Sequence, residues 1–121
     1  MEERESFRRI TLLAALRNIP KTPTEWLHWA WNHRDSHDRI RAAIVAKGGP
    51  RLIDYQIEPI NQNAMKQFLQ NNSQLHIDAN SVLGLQSADL LDANLSDQRQ
   101  LAAWIDSQYQ EHFNMETALG I

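Results

Sequence analysis

The chain has 121 residues, of which 42% are hydrophobic and 22% charged, a composition typical of one globular domain with its own core. It contains no cysteine, which excludes disulfides, thiolate metal sites and cysteine nucleophiles. The formal net charge of −3 is uneven, because residues 1–51 carry ten Lys/Arg and six Asp/Glu whereas residues 52–121 carry two and nine. We expect a single helical domain over residues 1–121 whose two halves pack together, with a dipolar surface that steers a charged partner as the alternative.

The first predicted helix covers residues 2–19 and is apolar almost all round. Leu12, Leu16 and Ile19 lie on one side, nearly opposite a second apolar face, and Pro20 ends the helix. Such a helix is covered on two sides, either within one chain or between two copies. We therefore predict that Leu12, Leu16 and Ile19 bind a partner, and that the chain forms a homodimer through its N-terminal helices.

The second predicted helix begins with a clear boundary signal. Thr22 is a good N-cap, Pro23 suits the first turn, and Glu25 completes a T-x-x-E capping box. The helix is expected to run to about Lys47, where Gly48-Gly49-Pro50 stops it.

Residues spaced three or four positions apart form a packing stripe along one face of this second helix. Its members are Trp26, Ala30, His33, His37, Ile40 and Ile44. The unbroken stripe argues against a helix break at Asp35-Ser36, although both residues are good N-caps. Trp29 flanks the stripe, whereas Trp31 points away from it. We predict Trp31 to anchor a partner protein, with packing under the first helix as the alternative.

In the middle of the chain, the spacing of apolar residues changes from that of a helix to that of a strand. Residues 53–57 alternate between apolar and polar side chains, which predicts a half-buried strand, and residues 74–77 are a candidate partner strand. Residues 61–71 predict a helix that ends at an Asn-Asn-Ser turn over residues 71–73.

The C-terminal part is predicted to be helical. Residues 81–93 form an irregular helical segment, and Asn94 or Ser96 caps a last helix over about 97–113, whereas residues 114–121 are expected to be frayed or packed on a neighbour. Buried positions of the last helix are Leu101, Trp104, Ile105, Gln108 and His112. The fold class is therefore mainly α, a compact bundle of about four to five helices with at most a small two-stranded β element.

His33 and His37 are candidate metal ligands, because two imidazoles four positions apart on a helix can share one ion. The segment lacks the H-E-x-x-H pattern, so a third ligand would have to come from His76, His112 or a second copy of the chain. The favoured interpretation is two packed histidines with hydrogen-bond partners inside the chain, and a pH-sensitive interface is a further alternative. We assign neither a metal nor any other cofactor at this stage.

No pattern in the sequence specifies a reaction. Asp35-Ser36-His37 has the residue types of a hydrolytic triad, but neighbouring helix positions do not face one another, and no nucleotide-binding pattern is present. We expect a non-enzymatic protein. The segment before residue 20 has no signal-peptide pattern and no apolar run could cross a membrane, which favours the cytoplasm.

The function that the sequence favours is protein interaction, as a small adaptor, inhibitor or accessory factor. Arg34, Arg39 and Arg41 are predicted partner contacts beside Trp31, since arginine and tryptophan are enriched at interface centres. The alternative is a nucleic-acid-binding regulator that uses the basic helix 34–51. A second alternative is a metal-binding protein that uses His33 and His37.

Overall fold

The computed structural model describes residues 13–55, 65–86 and 94–121, and their regular secondary structure is helical. Its helical segments are α1 (residues 13–17), α2 (Pro23–Ala46), α3 (Met65–Leu83) and α4 (Gln98–Leu119). Helix α4 packs against both α2 and α3. The prediction of a mainly α fold is confirmed, and the described ranges contain no strand.

Helix α2 begins and ends where the sequence predicts. The side-chain oxygen of Thr22 accepts a hydrogen bond from the backbone N–H of Glu25 at 3.1 Å, and Pro23 is the first helical residue. Lys47 is the C-cap, and Gly48 follows with a φ of 86°, a conformation that side chains with a Cβ rarely adopt.

Burial along α2 follows the predicted stripe without a break. Its buried positions are Trp29, Ala30, His33, Ser36, His37, Ile40 and Ile44. Trp26 is half-buried, whereas 55% of Trp31 is exposed, as the helical phase predicts. Ser36 is the one buried position of α2 that the apolar pattern did not include.

The core consists of two apolar clusters with a polar layer between them. One cluster centres on Trp29, Phe68 and Trp104. The other cluster contains Ile40, Ile44, Ala79, Met115 and Leu119. On each long helix, the residues between the two clusters are polar and buried. This order along the helices places a polar layer across the middle of the bundle.

Helix α3 differs from the prediction, because both the turn at 71–73 and the strand at 74–77 are wrong. These residues lie inside one helix, Met65–Leu83. Asn72 is buried there, and its side-chain amide donates a hydrogen bond to Gln108 Oε1 at 2.8 Å. A tertiary partner thus accepts from the N–H of an amide that would otherwise favour a turn. The predicted helix 61–71 is found from Met65 onward.

The predicted strand at 53–57 is also wrong over the positions that the structure describes. Residues 51–55 have no regular secondary structure, and Ile53 is 61% exposed rather than half-buried. Asp54 forms ion pairs with Arg34 and Arg41, which attach this segment to the side of α2.

The C-terminal residues 114–121 are not frayed, which corrects the prediction. Helix α4 continues to Leu119, and Met115 and Leu119 are buried. Gly120 then ends the helix in the left-handed conformation, with a φ of 70°. The N-cap is Asp97, one residue after the predicted Ser96. The predictions made for residues 1–12, 56–64 and 87–93 concern parts of the chain that lie outside the described residues.

Candidate metal centre

Four histidines from three helices meet in the polar layer. They are His33 and His37 on α2, His76 on α3 and His112 on α4, and we call them the four-histidine cluster. One ring nitrogen of each lies within 4.8 Å of the corresponding nitrogen of the others, and each residue is at most 2% exposed. The structure therefore brings the predicted pair together with both residues that the sequence offered as a third ligand.

Two of the nitrogen separations in the cluster are close to those around a metal ion. The Nε2 atom of His37 lies 3.2 Å from Nε2 of His33 and 3.1 Å from Nε2 of His76. Four nitrogens at about 2.0–2.1 Å from a tetrahedral zinc ion are about 3.3 Å apart. These two nitrogen–nitrogen distances thus already match the distance between neighbouring ligands of a tetrahedral zinc ion.

Hydrogen bonds alone satisfy these contacts poorly. In a neutral imidazole, Nε2 offers either one hydrogen or one lone pair, and both lie in a single direction in the ring plane. The Nε2 atom of His37 faces two other Nε2 atoms, so at most one of the two contacts can be well aligned. A cation that accepts a lone pair from each ring satisfies all of them at once.

Several ring atoms of the cluster are buried without a hydrogen bond, and two of them belong to His33 and His112. They are Nδ1 of His33 and Nε2 of His112. The other nitrogen of His33, Nε2, lies 3.2 Å from Gln108 Oε1, the oxygen that also accepts from Asn72. A buried polar atom without a partner has a free-energy cost of about 1–3 kcal/mol. An ion bound in the cluster removes this cost at Nε2 of His112 but not at Nδ1 of His33, because His33 faces the cluster with its Nε2.

Burial favours the neutral form of three of the four rings, which is the form that binds metals. Burial away from water lowers the pKa of His33, His37 and His112 well below 6.5, and the charges of neighbouring imidazoles lower the pKa of each further. At neutral pH these three rings therefore keep a lone pair for coordination and do not have to lose a proton first.

Polar groups outside the cluster contact the far nitrogens of two of its rings. Ser36 Oγ lies 2.6 Å from Nδ1 of His112 and 3.4 Å from Oε2 of Glu116, and Arg39 donates to Oε1 of the same carboxylate at 2.9 Å. On the α3 side, Oε2 of Glu111 lies 3.3 Å from Nδ1 of His76. Metal-binding histidines commonly have such partners on the nitrogen that does not coordinate.

Apolar residues close the site on both sides. The indole of Trp29 stacks on the His33 ring with a centroid distance of 4.6 Å and an interplanar angle of 16°. The aliphatic cluster around Ile40 and Met115 lies beyond the opposite side. Water is thereby kept away from the imidazoles, which strengthens every electrostatic interaction among them.

The other predicted site residues lie outside this layer. Leu16 is buried in the core cluster that centres on Trp29, Phe68 and Trp104. Ile19 is 39% exposed, and Leu12 lies outside the described residues. Trp31 lies on the surface with Leu27, which is 49% exposed.

All three predicted contact arginines form ion pairs within the chain. Arg34 pairs with Asp54 at 3.1 Å, and Arg41 pairs with Asp38 and with Asp54. Arg39 pairs with the buried carboxylate of Glu116.

Sequence reasoning missed several polar residues of the site. Ser36, Glu111 and Glu116 were assigned no role, and Glu116 fell in the segment predicted to be frayed. Glu116 lies four positions after His112, so continuing the last helix by one turn would have placed it on the same face. No comparable pattern in the sequence indicates which carboxylate faces His76.

Comparisons with protein-family models, with curated proteins and with solved structures find no match for this chain. Among the described helices, none is long and apolar enough to cross a membrane.

Proposed function

We propose that the protein binds one late first-row transition-metal ion in the four-histidine cluster. The observation that supports this proposal is the convergence of four buried ring nitrogens within 4.8 Å. Imidazole donors suit zinc, copper, nickel and iron, whereas magnesium and calcium take oxygen ligands. Two of the nitrogen–nitrogen distances, 3.2 and 3.1 Å, match those between ligands of a tetrahedral zinc ion, which we take as the reference ion.

The role that we propose for the ion is structural. Four protein nitrogens complete a tetrahedral shell, whereas catalytic zinc sites keep one position for water or substrate. The cluster lies in a layer that is closed by apolar side chains, and its ligands come from α2, α3 and α4. The ion would therefore join three helices by bonds through the centre of the bundle.

Metal retention tests this proposal. The chain, prepared without a histidine tag, is equilibrated with zinc, dialysed and analysed for metal by mass spectrometry. We expect about one zinc ion per chain, and tetrahedral visible absorption when cobalt replaces zinc. His37→Ala and His112→Ala should each abolish retention.

The fifth histidine provides the matched control. His28 is exposed and lies outside the cluster, so His28→Ala should retain zinc like the unsubstituted chain. Failure of the unsubstituted chain to retain zinc or any other transition metal would contradict the proposal, as would full retention by His112→Ala.

A second candidate function is protein interaction through the exposed side of α2, either with a second copy or with another protein. Trp31 and Leu27 are 55% and 49% exposed, and they lie one helical turn apart. A tryptophan beside an aliphatic side chain is typical of an interface anchor. Nucleic-acid binding by 34–51 has less support, because the ion pairs of Arg34, Arg39 and Arg41 reduce the positive charge available to phosphates.

Substitution of the exposed indole tests this second function. Trp31→Ala should leave the melting temperature nearly unchanged, because the side chain is not part of the core, and should reduce the mass of the particle measured by light scattering. Val45→Ala, an exposed position at the other end of α2, should leave the mass unchanged. A monomeric unsubstituted chain at high concentration would contradict self-association.

A further inference from the structure

The hydrogen-bond partners of His112 determine which of its ring nitrogens carries the proton. Arg39 holds Glu116 as a carboxylate, which can only accept hydrogen bonds. The hydroxyl of Ser36 therefore donates to Glu116 Oε2, at 3.4 Å, and its oxygen is left to accept. With the hydroxyl directed at Glu116, the contact of 2.6 Å between Ser36 Oγ and His112 Nδ1 is formed by a hydrogen on Nδ1. The lone pair of His112 is consequently on Nε2, the buried atom without a hydrogen-bond partner.

A second carboxylate lies beside His76, close enough to favour a proton on Nδ1 but without the alignment of a hydrogen bond. Oε2 of Glu111 lies 3.3 Å from Nδ1 of His76, and a carboxylate favours the tautomer with a proton on the nitrogen that faces it. Oε1 of Glu111 accepts a hydrogen bond from the Asn80 amide, which fixes the orientation of the carboxylate. The lone pair of His76 is therefore on Nε2, 3.1 Å from Nε2 of His37.

We infer that Ser36, Glu116 and Glu111 are positioning residues, which place the protons of His76 and His112 on Nδ1 so that both rings bind the ion through Nε2. The inference rests on the proposed metal site for the identity of what is bound. The proton positions, however, are a property of the metal-free chain and can be measured without any ion. Ser36 and Glu111 thus serve the same purpose from opposite sides of the cluster.

Ring-proton positions in the metal-free chain provide the first test. Long-range proton–nitrogen correlation spectra of chain labelled with 15N-histidine distinguish a protonated Nδ1 from a protonated Nε2. We expect the Nδ1–H tautomer at both His76 and His112, assigned by substituting each in turn. An Nε2–H tautomer at either residue would overturn the inference for that ring, and this measurement needs no variant of the positioning residues.

Zinc affinity of two variants provides the second test. Ser36→Ala removes the acceptor at His112, and Glu111→Gln turns an amide N–H toward His76, which favours the opposite tautomer. We expect each to weaken zinc binding by about 10–100-fold, measured by competition with a chelating dye, and to increase the Nε2–H signal of its own histidine. The matched controls are Ser81→Ala and Asp106→Asn, at exposed positions of α3 and α4, which should leave the affinity unchanged.

The two proposals fail in different ways. If the unsubstituted chain binds no zinc, the metal site itself is wrong. If the unsubstituted chain binds zinc but Ser36→Ala and Glu111→Gln bind it equally well, with unchanged tautomers and helical circular dichroism, only the positioning role is wrong.

Discussion

Burial sets the charge of the imidazoles in the centre of the bundle. In the folded chain the pKa of His33, His37 and His112 is well below 6.5, mainly because the charged ring would lose its hydration. The unfolded chain takes up protons near pH 6.5, before the folded chain does. Stability therefore falls as the pH decreases through this range and is independent of these groups above it.

This order of protonation gives an expected pH dependence. For the metal-free chain, the free energy of unfolding should be constant from about pH 8 to about pH 7 and then decrease with falling pH, by up to about 1.4 kcal/mol per pH unit for each of His33, His37 and His112. Urea unfolding at a series of pH values measures it, and His28→Ala should show the same slope. Stability that increases as the pH falls below 6.5 would mean that the rings carry charge in the folded chain.

Single residues also show how far the sequence could predict the site. The i, i+4 spacing identified His33 and His37 as a pair, because helix geometry alone places them on one face. His76 and His112 could be named only as candidates, since their distance from that pair depends on how three helices pack. The hydrogen bond from Ser36 to Glu116 depends on the same packing, and no local pattern predicts it.

At the level of helices, prediction succeeded where local chemistry and burial agree. Thr22 and Pro23 define the start of α2, and one continuous stripe fixes its phase. Helix α3 was misjudged because Asn72 favours a turn in isolation, and the distant Gln108 that satisfies it is not visible locally. The end of α4 was not predicted because Met115 and Leu119 lie in a segment that was expected to be frayed or packed on a neighbour.

The last turn of α4 is expected to stabilise the whole bundle. Leu119 is 2% exposed in the aliphatic cluster, so Leu119→Ala should lower the free energy of unfolding by about 2–5 kcal/mol, as measured by urea denaturation. Asn114→Ala, at an exposed position of the same helix, should change it by less than about 0.5 kcal/mol. A loss below about 0.5 kcal/mol for Leu119→Ala would mean that the segment is frayed, as the sequence alone suggested.

Across the whole molecule, the basic first half and the acidic second half meet inside the bundle. The pair of Arg39 and Glu116 joins α2 to α4 at 2.9 Å, and this carboxylate also contacts Ser36 beside the cluster. The opposite charges of the two halves of the sequence thus form an ion pair where the two halves pack together. A bound ion would add a second connection between them, one that also includes α3.

Joining three helices through one ion has a consequence for unfolding. If zinc binds only the folded chain, zinc at about 100 times its Kd raises the free energy of unfolding by about 2.7 kcal/mol, and each further tenfold adds about 1.4 kcal/mol. Urea unfolding at several free zinc concentrations measures this slope. His28→Ala should keep it, whereas His112→Ala should show no dependence on zinc. A dependence on zinc in His112→Ala that starts at the same zinc concentrations as in the unsubstituted chain would mean that zinc acts outside the cluster, because removing one of four ligands must weaken a site inside the bundle.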